Sequence, residues 1–297
     1  MRIGAFEIAE PILESKDLHA IALLYPWVDG GNACTLAFEQ IEDYLDARLI
    51  GELARPGNFY DFTRYRPESS FIEGRRIIEV PNTKVYFASR EEGPDLLFLH
   101  MMEPHAYGER YTKSIVHLLK TLGVKRYCRV SAMYNAVPHT RPIRIMGSPG
   151  LENMPGMADL ITPRTPGGGY QGPTSIVNNV NDELEQAGIE IISVMAHLPH
   201  YLNLDEDYAG TAKLVQVLSR LYNLPNDLAD FEHGKQQYDD LWQELQSNSQ
   251  IKSLVDRLEE YYDSQKPEGS DANEGERPAL SPDIENFLDE IGRQLDK

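Results

Sequence analysis

The chain has 297 residues, 41% hydrophobic and 25% charged, with 47 acidic against 28 basic side chains for a net charge of −19. That composition is ordinary for a soluble globular protein with a sizeable core, and its acidity, with no basic stripe to offset it, argues against nucleic-acid binding. The longest apolar run, around Ile21–Trp27, falls far short of the ~20 residues a membrane helix needs, and Glu7 and Glu10 interrupt any signal-peptide core. The expected protein is cytoplasmic.

In chain order, Ala20–Trp27 (AIALLYPW) predicts the first buried strand, and Asp29-Gly30-Gly31-Asn32 a turn into a helix over 33–50. Phe59–Thr63, Arg75–Val80 and Lys84–Ser89 predict shorter strands of a β-meander, with Pro81-Asn82-Thr83 as the hairpin turn between the last two. Asp95–Met101 predicts the second buried strand, followed by Glu103-Pro104-His105 and a helix over 107–122. Arg126–Met133 leads into the stiff segment Pro138-His139-Thr140-Arg141-Pro142. The stretch 163–173, with Gly167-Gly168-Gly169, is a loop, and Thr174 or Ser175 caps a helix to Ala187. Ile189–Ala196 leads into Pro199-His200-Tyr201 and a helix over 207–222.

The four buried-strand segments are near-continuously apolar rather than alternating, which suits strands covered on both faces of a parallel sheet. Strand, turn and helix in repeated order predict an α/β fold, a three-layer α/β/α sandwich over 1–225. Over 226–297 the charge is −12, from nineteen acidic and seven basic residues. There a helical extension over 226–264 carries Leu241, Leu245, Ile251, Leu254, Val255 and Leu258 at helical spacing. A polar linker over 265–280 and a last amphipathic helix over 281–297 follow.

Ligands of an open parallel sheet bind outside the carboxyl ends of the strands. Asp29, Gly30, Gly31, Asn32, Glu103, His105, His139, Arg141, His200 and Tyr201 are therefore the candidate ligand-binding residues. The glycine turn can form an anion nest at a helix N-terminus, or Asp29 or Asn32 can simply cap that helix. Arg141 between prolines suits an anion or a structural salt bridge, and Glu103 with His139 or His200 can be an acid/base pair if folding brings them into hydrogen-bond reach. There is no G-x-S-x-G elbow, no nucleotide motif and no metal spacing among the eight histidines, so no metal or cofactor is expected. Cys34 and Cys128 form neither a disulfide framework nor a ligand cluster; Cys34 reads as packing rather than as a nucleophile.

At Trp27-Val28-Asp29-Gly30-Gly31-Asn32-Ala33, Pro94-Asp95-Leu96-Leu97 with Glu103-Pro104, Val137-Pro138-His139-Thr140-Arg141-Pro142 and Pro199-His200-Tyr201 the chain resembles the PAC2 family, in the family's order. The resemblance implies a phosphorylase/hydrolase-like fold similar to purine nucleoside phosphorylase, frequent homo-oligomers, and kinship with proteasome assembly chaperones. Chaperones of this type can dock through a C-terminal hydrophobic–Tyr–any ending, which Leu295-Asp296-Lys297 does not match. Two readings stay open: an oligomeric, assembly-chaperone-like module for a protein partner, or an enzyme or small-molecule binder acting on a phosphate- or carboxylate-bearing substrate at the strand ends.

Overall fold

The computed structural model of the protein describes residues 1–10, 15, 17–163, 172 and 174–264. The strands are β1 (Arg2–Ile3), β2 (Phe6–Ile8), β3 (Leu18–Tyr25), β4 (Arg48–Leu53), β5 (Glu68–Ile72), β6 (Arg75–Glu79), β7 (Lys84–Ala88), β8 (Asp95–Met102), β9 (Val124–Asn135), β10 (Ile145–Gly147), β11 (Ile161–Pro163) and β12 (Glu190–Pro199). The helices are α1 (Ala33–Tyr44), α2 (Gly108–Thr121), α3 (Ile176–Gln186), α4 (Tyr208–Tyr222), α5 (Phe231–Leu245) and α6 (Ser249–Ser264).

The four apolar segments become adjacent strands. Among the described residues a ten-stranded sheet runs β1-β2-β4-β7-β8-β3-β9-β12-β10-β11, and β8, β3, β9 and β12 are mutually parallel. Alternate residues of β3 serve opposite faces, because successive side chains leave a strand on opposite sides. Ala20, Ala22 and Leu24 join Ile115 and Leu119 of α2 and Val180 and Leu184 of α3. Ile21 and Leu23 join Phe38 and Ile41 of α1 and Leu214 and Leu218 of α4. Helices thus cover both faces, the expected α/β/α layering. In the second layer Phe38 and Phe98 meet edge-to-face at 5.6 Å.

Three local expectations differ from the structure. The helix expected over 33–50 ends at Tyr44, where Asp46 takes φ 52, and β4 starts four residues on to pair with β7 and β2. Phe59–Thr63 is no strand: the Asp61 carboxylate accepts the Thr63 N–H (2.9 Å) and hydroxyl (2.7 Å) and closes a turn. Residues 81–83 are no hairpin turn. β6 pairs with β5 instead, through Glu73 and Gly74 at φ 50 and 75, two left-handed residues whose twist suits a tight hairpin. β7 joins the main sheet.

Within the compact unit 1–264, α5 packs along α4, and Leu254, Val255 and Leu258 of α6 are buried. No described helix is long and apolar enough to cross a membrane. The linker over 265–280, the helix expected over 281–297 and Gly167–Gly169 lie outside the described residues.

The core and the β5–β6 hairpin should respond oppositely to truncation. Phe98 is fully buried and Phe71 is 74% exposed. Urea unfolding should show Phe98→Ala losing about 3–5 kcal/mol and Phe71→Ala staying within about 0.5 kcal/mol of the parent.

Candidate functional site

The turn after β3 closes on itself. Asp29 is 4% exposed, and its Oδ1 accepts the Cys34 N–H at 2.6 Å. Its Oδ2 accepts the Thr35 hydroxyl at 2.6 Å and the Thr35 N–H at 3.2 Å. Those are the free donors that open α1, so the chain's own carboxylate sits where an exogenous anion would have to. Burial, with the Asp29 carboxylate beside it, pushes the Cys34 thiol well up, which removes it as a nucleophile at neutral pH.

Gly31 and Asn32 join this turn to a partner the sequence did not point to. Gly31 sits at φ 56, and a Cβ there would come within 2.6 Å of the Asp207 Cβ. The Asp207 N–H donates to Gly31 O at 2.8 Å, and Asn32 Nδ2 donates to Asp205 O at 3.0 Å. Gly30 lies against Ala132 O and the Tyr134 ring. Asp207 itself is 1% exposed. Its carboxylate caps α4 through the Gly210 N–H at 2.7 Å and accepts the Tyr238 hydroxyl of α5 at 2.9 and 3.1 Å. Burial holds the Asp207 carboxyl above the usual range, the backbone and Tyr238 bonds opposing it.

Glu103 and His105, at the end of β8, face elsewhere. Both Glu103 oxygens accept the Ile176 N–H, at 2.9 and 3.2 Å, capping α3, and burial raises this carboxyl. The His105 N–H donates to Phe59 O at 2.8 Å, and its Nδ1 accepts the Asp61 N–H at 3.2 Å. Its ring lies 4.5 Å from that of Tyr65. Among the described residues no hydrogen bond joins Glu103 to His139 or His200.

His139, His200 and Tyr201 do come together. The His139 N–H donates to Tyr201 Oη at 2.8 Å, and the same oxygen lies 2.5 Å from His139 Nδ1. The other ring nitrogen, His139 Nε2, is buried without a hydrogen-bond partner among the described residues. The ring is walled by Trp242 at 4.9 Å and Tyr238 at 6.0 Å. His200 Nδ1 donates to Asn135 O at 3.1 Å. Burial lowers the pKa of His139, His197 and His200 alike. Arg141 pairs with Asp263 at 2.8 Å and Glu259 at 3.1 Å, both on α6. Tyr262 adds a hydrogen bond to Pro142 O at 2.8 Å and stacks under Arg144 at 3.6 Å.

A cavity of about 330 Å³ separates the 139–143 loop from α4 and α5, lined by His139, Arg141, Lys213, Lys235, Tyr238 and Trp242. It lies at the small end of ligand pockets, and its cations have internal partners. Arg141 has α6, Lys235 has Asp239 at 2.6 Å, and Lys213 has Gln216 at 2.9 Å.

The ten candidates thus divide into three groups, each bonded to a different part of the protein. Asp207, Tyr238, Trp242, Glu259 and Asp263 were not anticipated; the only sequence signal was the i, i+4 spacing of Tyr238 and Trp242 on α5. Beside the exposed polar Asn135 and His105, the strand ends expose large hydrophobic side chains. Trp27 after β3 is 70% exposed, Tyr107 after β8 is 67%, and Met133 at the end of β9 is 43%.

The sequence model of the PAC2 family matches residues 23–246, a span that runs through α5 and stops before α6. No curated protein matches the chain. Among solved structures, a Corynebacterium glutamicum protein of unknown function shares 22% identity at TM-score 0.75, over 88% of this chain and 97% of its own. A PAC2 family protein from Streptomyces avermitilis shares 24% identity at TM-score 0.69, over 80% and 100%. A proteasome-assembly chaperone homologue from Mycobacterium tuberculosis shares 21% at TM-score 0.64, over 78% and 95%. At these identities the shared property is the fold.

Two outcomes follow from the geometry. Gly31→Ala should lose about 2–5 kcal/mol in chemical unfolding, from left-handed strain plus the contact with Asp207. Stability should also fall with pH below the unperturbed histidine value of 6.5. The unfolded chain binds protons there that the three half-buried histidines refuse, so unfolding free energy rises with pH across that window. The raised carboxyls of Glu103 and Asp207 contribute with the opposite sign, because the folded state holds their protons more tightly than the unfolded chain does. Unfolding of His139→Gln across the pH series should show a shallower slope; an unchanged slope would contradict the assignment.

Proposed function

The chain belongs to the PAC2 family, and from that premise we propose that it is a cytoplasmic, non-catalytic, assembly-chaperone-like protein that grips a protein partner at the carboxyl edge of its parallel strands. The observation that carries this reading is the exposed trio Trp27, Tyr107 and Met133, borne by the ends of three neighbouring strands, β3, β8 and β9. Large aromatic and thioether side chains held in water by a rigid sheet are the usual anchors of protein interfaces. The polar groups beside them support the same reading. Asp29, Glu103 and Arg141 are held by the protein's own N–H groups and carboxylates, so they act as scaffold rather than as substrate ligands. The likeness in fold to a proteasome-assembly chaperone homologue points to the same class of work.

The test is capture of a stoichiometric protein from native extract by the full chain, repeated with Trp27→Ala, Tyr107→Ala and Met133→Ala. An anchor of this kind is worth about 2 kcal/mol or more, so each aromatic truncation should weaken the captured complex on the order of thirtyfold. Thermal unfolding should not change, because these side chains are exposed. Recovery of nothing but the chain itself, or equal capture by all three variants, would sink the proposal.

A further inference from the structure

The cavity of about 330 Å³ between the 139–143 loop, α4 and α5 is built from side chains that the strand-end surface does not use; none of Trp27, Tyr107 and Met133 lines it. Its frame is rigid. Ala209 of α4 meets Gly234 of α5 so closely that a Cβ on Gly234 would come within 2.5 Å of the Ala209 Cα, and helices in such contact have little freedom to shift. From that crossing α5 presents Phe231, Lys235, Tyr238 and Trp242 to the cavity. Steps of three and four residues put all of them on one helix face. The protein does not fill that face: Phe231 stays 44% exposed and Trp242 is only half-buried.

The lining holds three cations, and two of them are answered in kind. Arg141 is held by Glu259 and Asp263, and Lys235 by Asp239. Lys213 is not. Its Nζ donates to the neutral Gln216 Oε1 at 2.9 Å, it makes no ion pair among the described residues, and the Asp159 carboxylate acts on it only at longer range. A half-buried ammonium without a counter-ion is costly to keep charged, and an anion beside it removes that cost. The loop wall carries a second unanswered group. His139 Nε2, buried without a partner, gains free energy when a polar atom reaches it.

We propose that this cavity is a binding site for a small aromatic carboxylate, its ring against Phe231 and Trp242 and its carboxylate paired with Lys213. One unanswered cation suits a monoanion. The volume, at the small end of ligand pockets, suits one or two rings, and an aromatic body gains ring–ring contacts on that wall that an aliphatic one does not. The inference goes beyond the partner-binding reading and uses a different part of the molecule.

The test uses 3-phenylpropionate, one ring and one carboxylate, titrated into the full chain carrying Trp27→Phe. Trp242 is then the sole tryptophan, so its fluorescence reports on the cavity, and calorimetry gives a second readout. Saturable binding at one site is expected, with a dissociation constant of about a millimolar or lower for a ligand of about eleven heavy atoms. The uncharged 3-phenylpropionamide, of the same shape, should bind more weakly on the order of tenfold, because it forgoes the charge-assisted bond. Lys213→Gln should bind acid and amide alike, and Lys213→Arg should keep the preference for the acid. By calorimetry, Trp242→Leu should weaken both. The acid–amide comparison in the Trp27→Phe chain does not depend on how any Lys213 or Trp242 variant folds. No saturable binding, equal affinity for acid and amide, or an unchanged preference in Lys213→Gln overturns the inference. None of those results touches partner capture at the strand ends.

Discussion

The buried carboxylate of Asp207 holds three parts of the chain that are far apart in sequence. The Asp207 backbone N–H donates to the Gly31 carbonyl in the turn between β3 and α1, the side chain caps α4, and its oxygens accept the Tyr238 hydroxyl from α5. A carboxylate at 1% exposure is tolerable only when its lone pairs are met, and the Gly210 N–H and Tyr238 hydroxyl meet them. The constraint propagates backward. Because Gly31 packs on Asp207 with no room for a Cβ, the glycine turn is fixed in the form that lets Asp29 reach the opening N–H groups of α1.

That arrangement bears on what the strand ends can do. In an open parallel sheet the carboxyl edge is where a crevice forms and polar groups converge on a ligand. Here Asp29 serves α1, Glu103 serves α3, and Arg141 serves α6. Several groups that a substrate would need are fastening helices to the sheet, and the water-facing positions include the large side chains of Trp27, Tyr107 and Met133. A rigid edge with apolar anchors suits recognition of another protein surface, where shape and desolvation supply the affinity.

The C-terminal helices belong to the same construction. Tyr238 and Trp242 of α5 enclose His139, and Glu259, Tyr262 and Asp263 of α6 grip the loop from Thr140 to Arg144. The span matched by the PAC2 family ends at residue 246, between the two helices. The clamp on Arg141 is thus made by a helix outside the matched span, while the Asp207–Tyr238 junction lies wholly inside it.

Much of this was legible along the chain. Continuous apolar runs such as Ala20–Leu24 and Leu96–Leu99 determined buried parallel strands, because a strand covered on both faces has no polar position to spare. The Asp-Gly-Gly-Asn turn and the polar strand ends were visible for the same local reasons. Register and partnership were not. β6 chose β5 over β7 through two left-handed residues at 73 and 74, and Asp29 chose a helix cap over an anion nest because Asp207, 178 positions further on, fixed the turn around it. The sequence alone determined which segments are buried and where polar groups gather, since those depend on periodicity and composition nearby. Only the tertiary structure decided what each polar group bonds, since a buried charge takes whatever partner the fold brings within about 3 Å, and that partner can come from anywhere in the chain.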